Sequence, residues 1–180
     1  MKPVTFVIII TCLAMASAVR ATVVTYPAPV GLGVDTDGRV STAYQVRVIQ
    51  AGITNESFTY EIPADTAKPS RHNILSFTTF SHDGSVTVEV TKLTGAAITT
   101  ASVHPKSYGI TPTILAPNKI QFTVPASMKK MAVIFNNDWV THPLLVFADP
   151  LEVNPPPGPS ANVIYFGPGV HNMNRIPVSS

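Results

Sequence analysis

Cysteine is nearly missing from this sequence: the one thiol is Cys12. It falls in an N-terminal stretch that carries Lys2, an apolar run over residues 6–13 and small residues at Ala14, Ala16, Ala18 and Ala21. Positive charge, short apolar run and small residues, in that order, make a secretory leader. Residues 1–21 are therefore expected to be a signal peptide, and its removal leaves no disulfide framework and no cysteine-based metal site. The run is shorter than the roughly 20 apolar residues a membrane span needs, so the expected location is secreted and extracellular, with no membrane attachment after cleavage.

Charge is scarce as well. Lys, Arg, Asp and Glu together make 12% of the chain, with a formal net charge of +2. No cluster of Lys and Arg stands out, which argues against nucleic acid as a partner, because phosphate recognition needs grouped cations. The five histidines are dispersed, without the paired spacing of a zinc site. No metal and no cofactor are expected. Sustained helical periodicity is also lacking, and that disfavours an enzyme built from alternating strands and helices.

What is present is proline and a period of two. The 17 prolines sit mostly beside turn-like sequence, which suits short strands joined by stiff loops. Val86, Val88 and Val90 alternate with Thr87, Glu89 and Thr91. Ile120, Phe122 and Val124 alternate with Lys119, Gln121 and Thr123, and Tyr44, Val46 and Val48 with Ala43, Gln45 and Arg47. Such alternation is the signature of strands with one buried face. Further strands are expected over residues 22–26, 57–62, 97–103, 131–135 and 144–148. The most legible hairpin runs from 74–80 through Ser81-His82-Asp83-Gly84 to 85–92, with a water-facing turn. Asp37-Gly38 marks another turn. Many short strands at this spacing predict an all-β antiparallel sandwich over residues 22–152.

At Asn154 the texture changes. Asn154-Pro155-Pro156-Pro157-Gly158-Pro159-Ser160 cannot join a central strand and reads as a stiff extended connector, placed at 153–161. Beyond it, 162–166 has the pattern of a new strand, followed by a Gly167-Pro168-Gly169 turn and a second extended piece to Val178. A lone strand and turn cannot bury an apolar face, so residues 162–180 are expected to be the truncated start of a further domain.

Two stretches carry a resemblance: Leu144-Leu145-Val146-Phe147-Ala148-Asp149-Pro150-Leu151-Glu152, and, after the connector, Val163-Ile164-Tyr165-Phe166-Gly167-Pro168-Gly169-Val170-His171. They are similar to the domain junction of glycoside hydrolase family 49, which includes dextranases and isopullulanases. Upstream, Ser81-His82-Asp83-Gly84-Ser85-Val86-Thr87-Val88 and His104-Pro105-Lys106-Ser107-Tyr108-Gly109-Ile110 resemble the same family more loosely. The resemblance implies an immunoglobulin-like sandwich leading into a right-handed parallel β-helix of the polygalacturonase kind. It also implies a polysaccharide substrate, glucan or pectin, for the full-length enzyme, and a sandwich that packs on the β-helix. Family members invert at the glycosidic carbon using aspartates on later β-helix coils. Those coils are not in this sequence, so no catalytic residue is carried over, and Asp149 and Glu152 are assigned to ending a strand and capping a turn.

The local chemistry supports little beyond binding. An inverting glycosidase holds two carboxyl groups about 6.5–9.5 Å apart, whereas the acids here are scattered singly. Asp35 and Asp37 precede Gly38 in a turn, and the further ligands of a calcium loop do not follow at the required offset. Ser81-His82-Asp83 contains triad residue types, but three consecutive residues cannot form the Ser–His–Asp hydrogen-bonded chain. Trp139, in Asn136-Asn137-Asp138-Trp139, is the candidate carbohydrate contact through stacking on a sugar ring; the competing reading packs it at the sandwich rim. Asn55-Glu56-Ser57 is an N-glycosylation sequon. The expected function is the non-catalytic N-terminal portion of a secreted polysaccharide hydrolase. The alternatives are a free-standing carbohydrate-binding module, for which Trp139 and Tyr108 speak, and an extracellular structural domain.

Overall fold

The structure, a computed structural model, describes residues 22–29, 39–63 and 74–154. The leader expected at 1–21, the turn expected at Asp35–Gly38, the expected 153–161 connector from Pro155 onward and the strand expected after it lie outside the described residues. Twelve strands occur among those described: β1 (Val23–Thr25), β2 (Arg39–Val40), β3 (Tyr44–Gln50), β4 (Ile53–Ser57), β5 (Thr59–Pro63), β6 (Ile74–His82), β7 (Val86–Lys92), β8 (Ala101–His104), β9 (Thr113–Ala116), β10 (Lys119–Val124), β11 (Lys129–Phe135) and β12 (Leu144–Pro150). One 3-10 turn, Lys106–Tyr108, is the sole helical element described. No helix among the described residues is long and apolar enough to cross a membrane.

The strands form the expected sandwich. One sheet runs β2-β5-β6-β12-β11-β8, with β1 also on β6; the other runs β4-β3-β7-β10-β9. Every pair is antiparallel except β6 with β12, which run parallel in register from Ser76↔Leu144 to His82↔Pro150. A parallel pair needs a long crossover, and here β7 to β11 supply it. β1 lies on the opposite side of β6, with Val23 facing His82. The chain therefore comes in and leaves on either side of one residue.

The core is the space between the two sheets. Val46, Val48, Val86, Val88, Val90, Ile120 and Val124 from one sheet meet Phe80, Val103, Val133, Leu144, Val146 and Ala148 from the other, all at most 2% exposed. Each fully buried side chain of this size contributes about 1.5–3 kcal/mol. β-branched residues suit a pleated surface, which is why β3, β7 and β10 are so clearly alternating.

The expected hairpin from 74–80 to 85–92 is overturned. β6 and β7 do not pair: β6 bonds to β5, β12 and β1, while β7 bonds to β3 and β10. Ser81 and His82 end β6, and Asp83-Gly84-Ser85 is an arch carrying the chain from one sheet to the other. Nor does the whole turn face water, since Ser81 and His82 are buried. His82 Nδ1 bonds the Gly84 carbonyl at 2.7 Å, and the Gln50 amide donates to the Asp83 and Ser85 carbonyls at 2.6 and 3.2 Å. Those bonds satisfy peptide groups that leave one ladder before joining the next.

Tight hairpins lie elsewhere, and one joins β9 to β10 through Pro117-Asn118, with Ala116 opposite Lys119. β3 and β4 pair from Val46↔Ser57 to Gln50↔Ile53 through Ala51 and Gly52, both in the left-handed region with φ of 49° and 78°, as a hairpin turn of this length requires. The expected strand at 57–62 is in fact broken at Phe58, where the chain passes from β4 in one sheet to β5 in the other.

Around that crossing, the alternation is inverted. Ser57, Thr59, Glu61, Ser76 and Thr78 point inward and are buried, while Tyr60, Ile62, Leu75 and Phe77 lie on the outer face and stay partly exposed. The buried polar groups have work to do. The Ser57 and Thr78 hydroxyls bond at 2.7 Å and Thr78 Oγ1 donates to the Phe58 carbonyl at 2.9 Å. Ser41 Oγ bonds Ser76 Oγ at 3.1 Å and accepts the Ala43 and Tyr44 N–H groups. The Glu61 carboxylate accepts the Thr42 N–H at 2.8 Å and its hydroxyl at 3.1 Å. Where peptides leave the ladders, side chains complete their hydrogen bonds.

Candidate functional site

The segment between β11 and β12, at one end of the sandwich, carries Asn136, Asn137, Asp138, Thr141 and His142. Asn136 and Asn137 both adopt left-handed backbone, with φ of 52° and 57°, a conformation Asn tolerates better than most residues. Asn136 then fastens this segment to the one before β8. Its Oδ1 accepts the Thr99 N–H at 2.8 Å, the Thr99 hydroxyl at 3.0 Å and the Thr100 N–H at 3.2 Å, and its Nδ2 donates to the Ala97 carbonyl at 2.8 Å.

Asp138 closes the next turn by accepting the Thr141 and Val140 N–H groups at 2.8 and 3.1 Å. The Thr141 N–H is the main cause holding its carboxyl below the usual carboxylate range, with Val140 and the nearby His142 acting in the same direction. Tyr44 lies beneath, stacked on Phe135 at 5.4 Å and donating its hydroxyl to the His142 carbonyl at 2.6 Å. Burial, reinforced by the Asp138 charge, pushes the Tyr44 phenol well above its ordinary range. These groups border an open groove of about 460 Å³ lined by Tyr44, Lys92, Phe135, Asn136, Asp138 and His142 among others.

Trp139 is 53% exposed. It does not line that groove. Its indole sits edge-on against His104 at 4.3 Å between centroids, and His104 Nε2 bonds Ser102 Oγ at 3.0 Å. His104 stands opposite Ala132 on β11, so Trp139 borders the outer face of the larger sheet. Tyr108 is not its partner: that ring packs against the core cluster, with Lys129 Nζ 4.8 Å from its centroid.

Asn55 lies on β4, opposite Val48 and partly buried, and the sequon hydroxyl of Ser57 is buried in the bond to Thr78. The described carboxylates do not converge. Glu61 is committed to Thr42, Glu89 to Lys119 at 3.0 Å, and Asp149, at the end of β12, to Lys130 at 3.3 Å. Among the described residues no group of three His, Cys, Asp or Glu side chains is placed to hold a metal ion. Sequence reasoning singled out Trp139 but missed Tyr44, Asn136, Asp138 and His142; the Asn136-Asn137 pair was the available signal of an ordered turn.

No protein-family profile matches the sequence, and no curated protein does either. Among solved structures, the chain is similar to Dex49A from Penicillium minioluteum, with a TM-score of 0.53 and 21% identity over 74% of this chain and 32% of that one. This likeness concerns the fold, which is an all-β sandwich in two sheets. The chain spans about a third of Dex49A.

Proposed function

We propose that the chain is the non-catalytic N-terminal sandwich of a secreted polysaccharide hydrolase of the dextranase kind. The observation that carries this reading is the fold likeness to a part of Dex49A, falling on the same chain whose 144–152 and 163–171 segments resemble the family 49 junction. The dispersed carboxylates support it, since inverting hydrolysis needs two facing each other across a sugar. In this reading residues 1–21 direct export and 162–180 begin a β-helix that carries the chemistry on glucan. Glycosylation at Asn55 requires modification before β4 docks, because folding consumes the Ser57 hydroxyl; an endoglycosidase gel shift reads out whether the sequon is occupied.

The test is the coding sequence downstream of Ser180 together with an assay of the pure chain. Expected are an open frame that continues into repeated short strands, and no release of sugar from dextran, pullulan or polygalacturonate. A stop codon directly after Ser180, or hydrolysis by the pure chain, overturns the proposal.

A second reading, carbohydrate binding by the sandwich itself, is favoured by the exposure of Trp139. Stacking of a sugar ring on the indole face is expected to contribute about 1 kcal/mol. Loss of glucan retention in Trp139→Ala supports it, and retention equal to the parent chain removes Trp139 from consideration.

A further inference from the structure

The arch between the two sheets has most of its backbone held and one reaction left open. The Asp83 N–H donates to the Thr22 carbonyl at 2.9 Å, and the carbonyls of Asp83, Gly84 and Ser85 accept from Gln50 and His82. Two groups within the arch have no hydrogen-bond or ion-pair partner among the described residues: the exposed Asp83 carboxyl and the Gly84 N–H. They are neighbours in the chain, and Gly84, with φ of 79°, has no Cβ to shield its nitrogen.

A carboxyl one methylene from the main chain can be attacked by the next peptide nitrogen, closing a five-membered ring. The other described aspartates are not free to do this. Asp138 gives its carboxylate to the Val140 and Thr141 N–H groups. Asp149 is paired with Lys130 and is followed by Pro150, whose nitrogen carries no hydrogen. Beside the Asp83–Gly84 peptide lies an open cavity of about 320 Å³, lined also by Ala126, Ser127 and Leu151, with room for the ring and for water.

We propose that Asp83-Gly84 is a site of spontaneous isomerisation to isoaspartate. The Gly84 nitrogen attacks Asp83 Cγ: the N–Cγ bond forms, a Cγ–O bond breaks, and that oxygen leaves as water with the amide proton and one from solvent. Water then adds to either ring carbonyl and returns a proton to solvent. Addition at Cγ restores aspartate; addition at the main-chain carbonyl leaves the chain running through Cγ. The Gln50 amide, 2.6 Å from the Asp83 carbonyl oxygen, polarises this peptide as the Gly84 proton is lost and again as water adds. The product has an extra methylene in its main chain, so the carbonyls of 83–85 no longer meet Gln50 and His82 together, and the joint between the sheets weakens. This chemistry is independent of the hydrolase reading.

The test keeps the folded full chain near neutral pH in heavy-oxygen water, beside a denatured sample, until the denatured sample has isomerised at Asp83. Digestion in ordinary water with an endoprotease that cuts at aspartate but not at isoaspartate, followed by mass spectrometry, locates the product. Expected from the folded chain is an uncut peptide carrying heavy oxygen at Asp83, with Asp138 and Asp149 cut and unlabelled, and no label at position 83 in Asp83→Glu. A folded chain unchanged at Asp83, or one labelled equally at Asp138 or Asp149, overturns the proposal. The isomerised fraction, separated by chromatography, is expected to unfold at a lower denaturant concentration than the parent; equal midpoints overturn the weakening of the joint.

Discussion

The β3-β7-β10 layer and the β5-β6 corner obey opposite rules within one sandwich. In the first, Val46, Val88 and Ile120 face inward and Arg47, Glu89 and Gln121 face water, with Glu89 drawing Lys119 and Arg47 to itself. In the second, serine, threonine and glutamate are buried and aromatics lie outside. The difference follows from the backbone. The first layer consists of uninterrupted ladders whose peptides bond one another, so its interior needs only apolar volume. At the corner the chain changes sheets at Phe58 and again around Ser41–Ala43, and the freed peptide groups require polar side chains inside.

Breaking the first region gives the largest effect. Val88→Asp puts a carboxylate between the sheets with no partner, at a cost of several kcal/mol against a typical total stability of about 5–15 kcal/mol. The expected result is a chain with no cooperative thermal transition. At the corner, Glu61→Ala strips the Thr42 N–H of its acceptor and is expected to cost about 1–3 kcal/mol by denaturant unfolding. Were Glu61→Ala as severe as Val88→Asp, the corner would be core rather than crossing. Asn136→Ala is next at about 1–2 kcal/mol, through the donors left at Thr99 and Thr100, with faster amide exchange confined to residues 97–100 and 136–143. Tyr60→Ala removes one aromatic stack and is expected to cost about 1 kcal/mol.

The smallest effect is electrostatic. The folded carboxyl of Asp138 titrates lower than in the unfolded chain, so its contribution is present above the ordinary carboxylate range and is lost as pH falls through its folded value. Since Trp139 is the one tryptophan, its fluorescence reports on this loop directly. The acid change in emission is expected to shrink in Asp138→Asn, and an identical profile in both chains would place the titrating group elsewhere.

The sequence was most legible where ladders are regular. β10 falls on the expected 119–124, and β7 and β12 lie within a residue or two of expectation, because nothing but side-chain alternation decides them. It was least legible at crossings. Asp83-Gly84 has hairpin chemistry, yet the turn is an arch: pairing is settled by neighbours distant in sequence, and β6 finds β12 more than sixty residues on. The Ala51-Gly52 hairpin turn lacks the usual Asn or Asp, and β9, with Thr113, Ile114 and Leu115 exposed, has no buried face to betray it. Trp139 was visible by its rarity. Asp138 and Tyr44 were not, since the groove they border exists only once segments nearly a hundred residues apart are brought together.

Val23 and Pro150 face the same residue, His82, from opposite sides, so the two attachment points of the sandwich are about 10 Å apart, two strand spacings. Both ends of the described ladders lie at one pole. A cut at either attachment point, or its transplantation into a surface loop of another protein, would leave its ladders untouched. The loop bearing Trp139 precedes β12 and so lies at the opposite pole from that pair of ends.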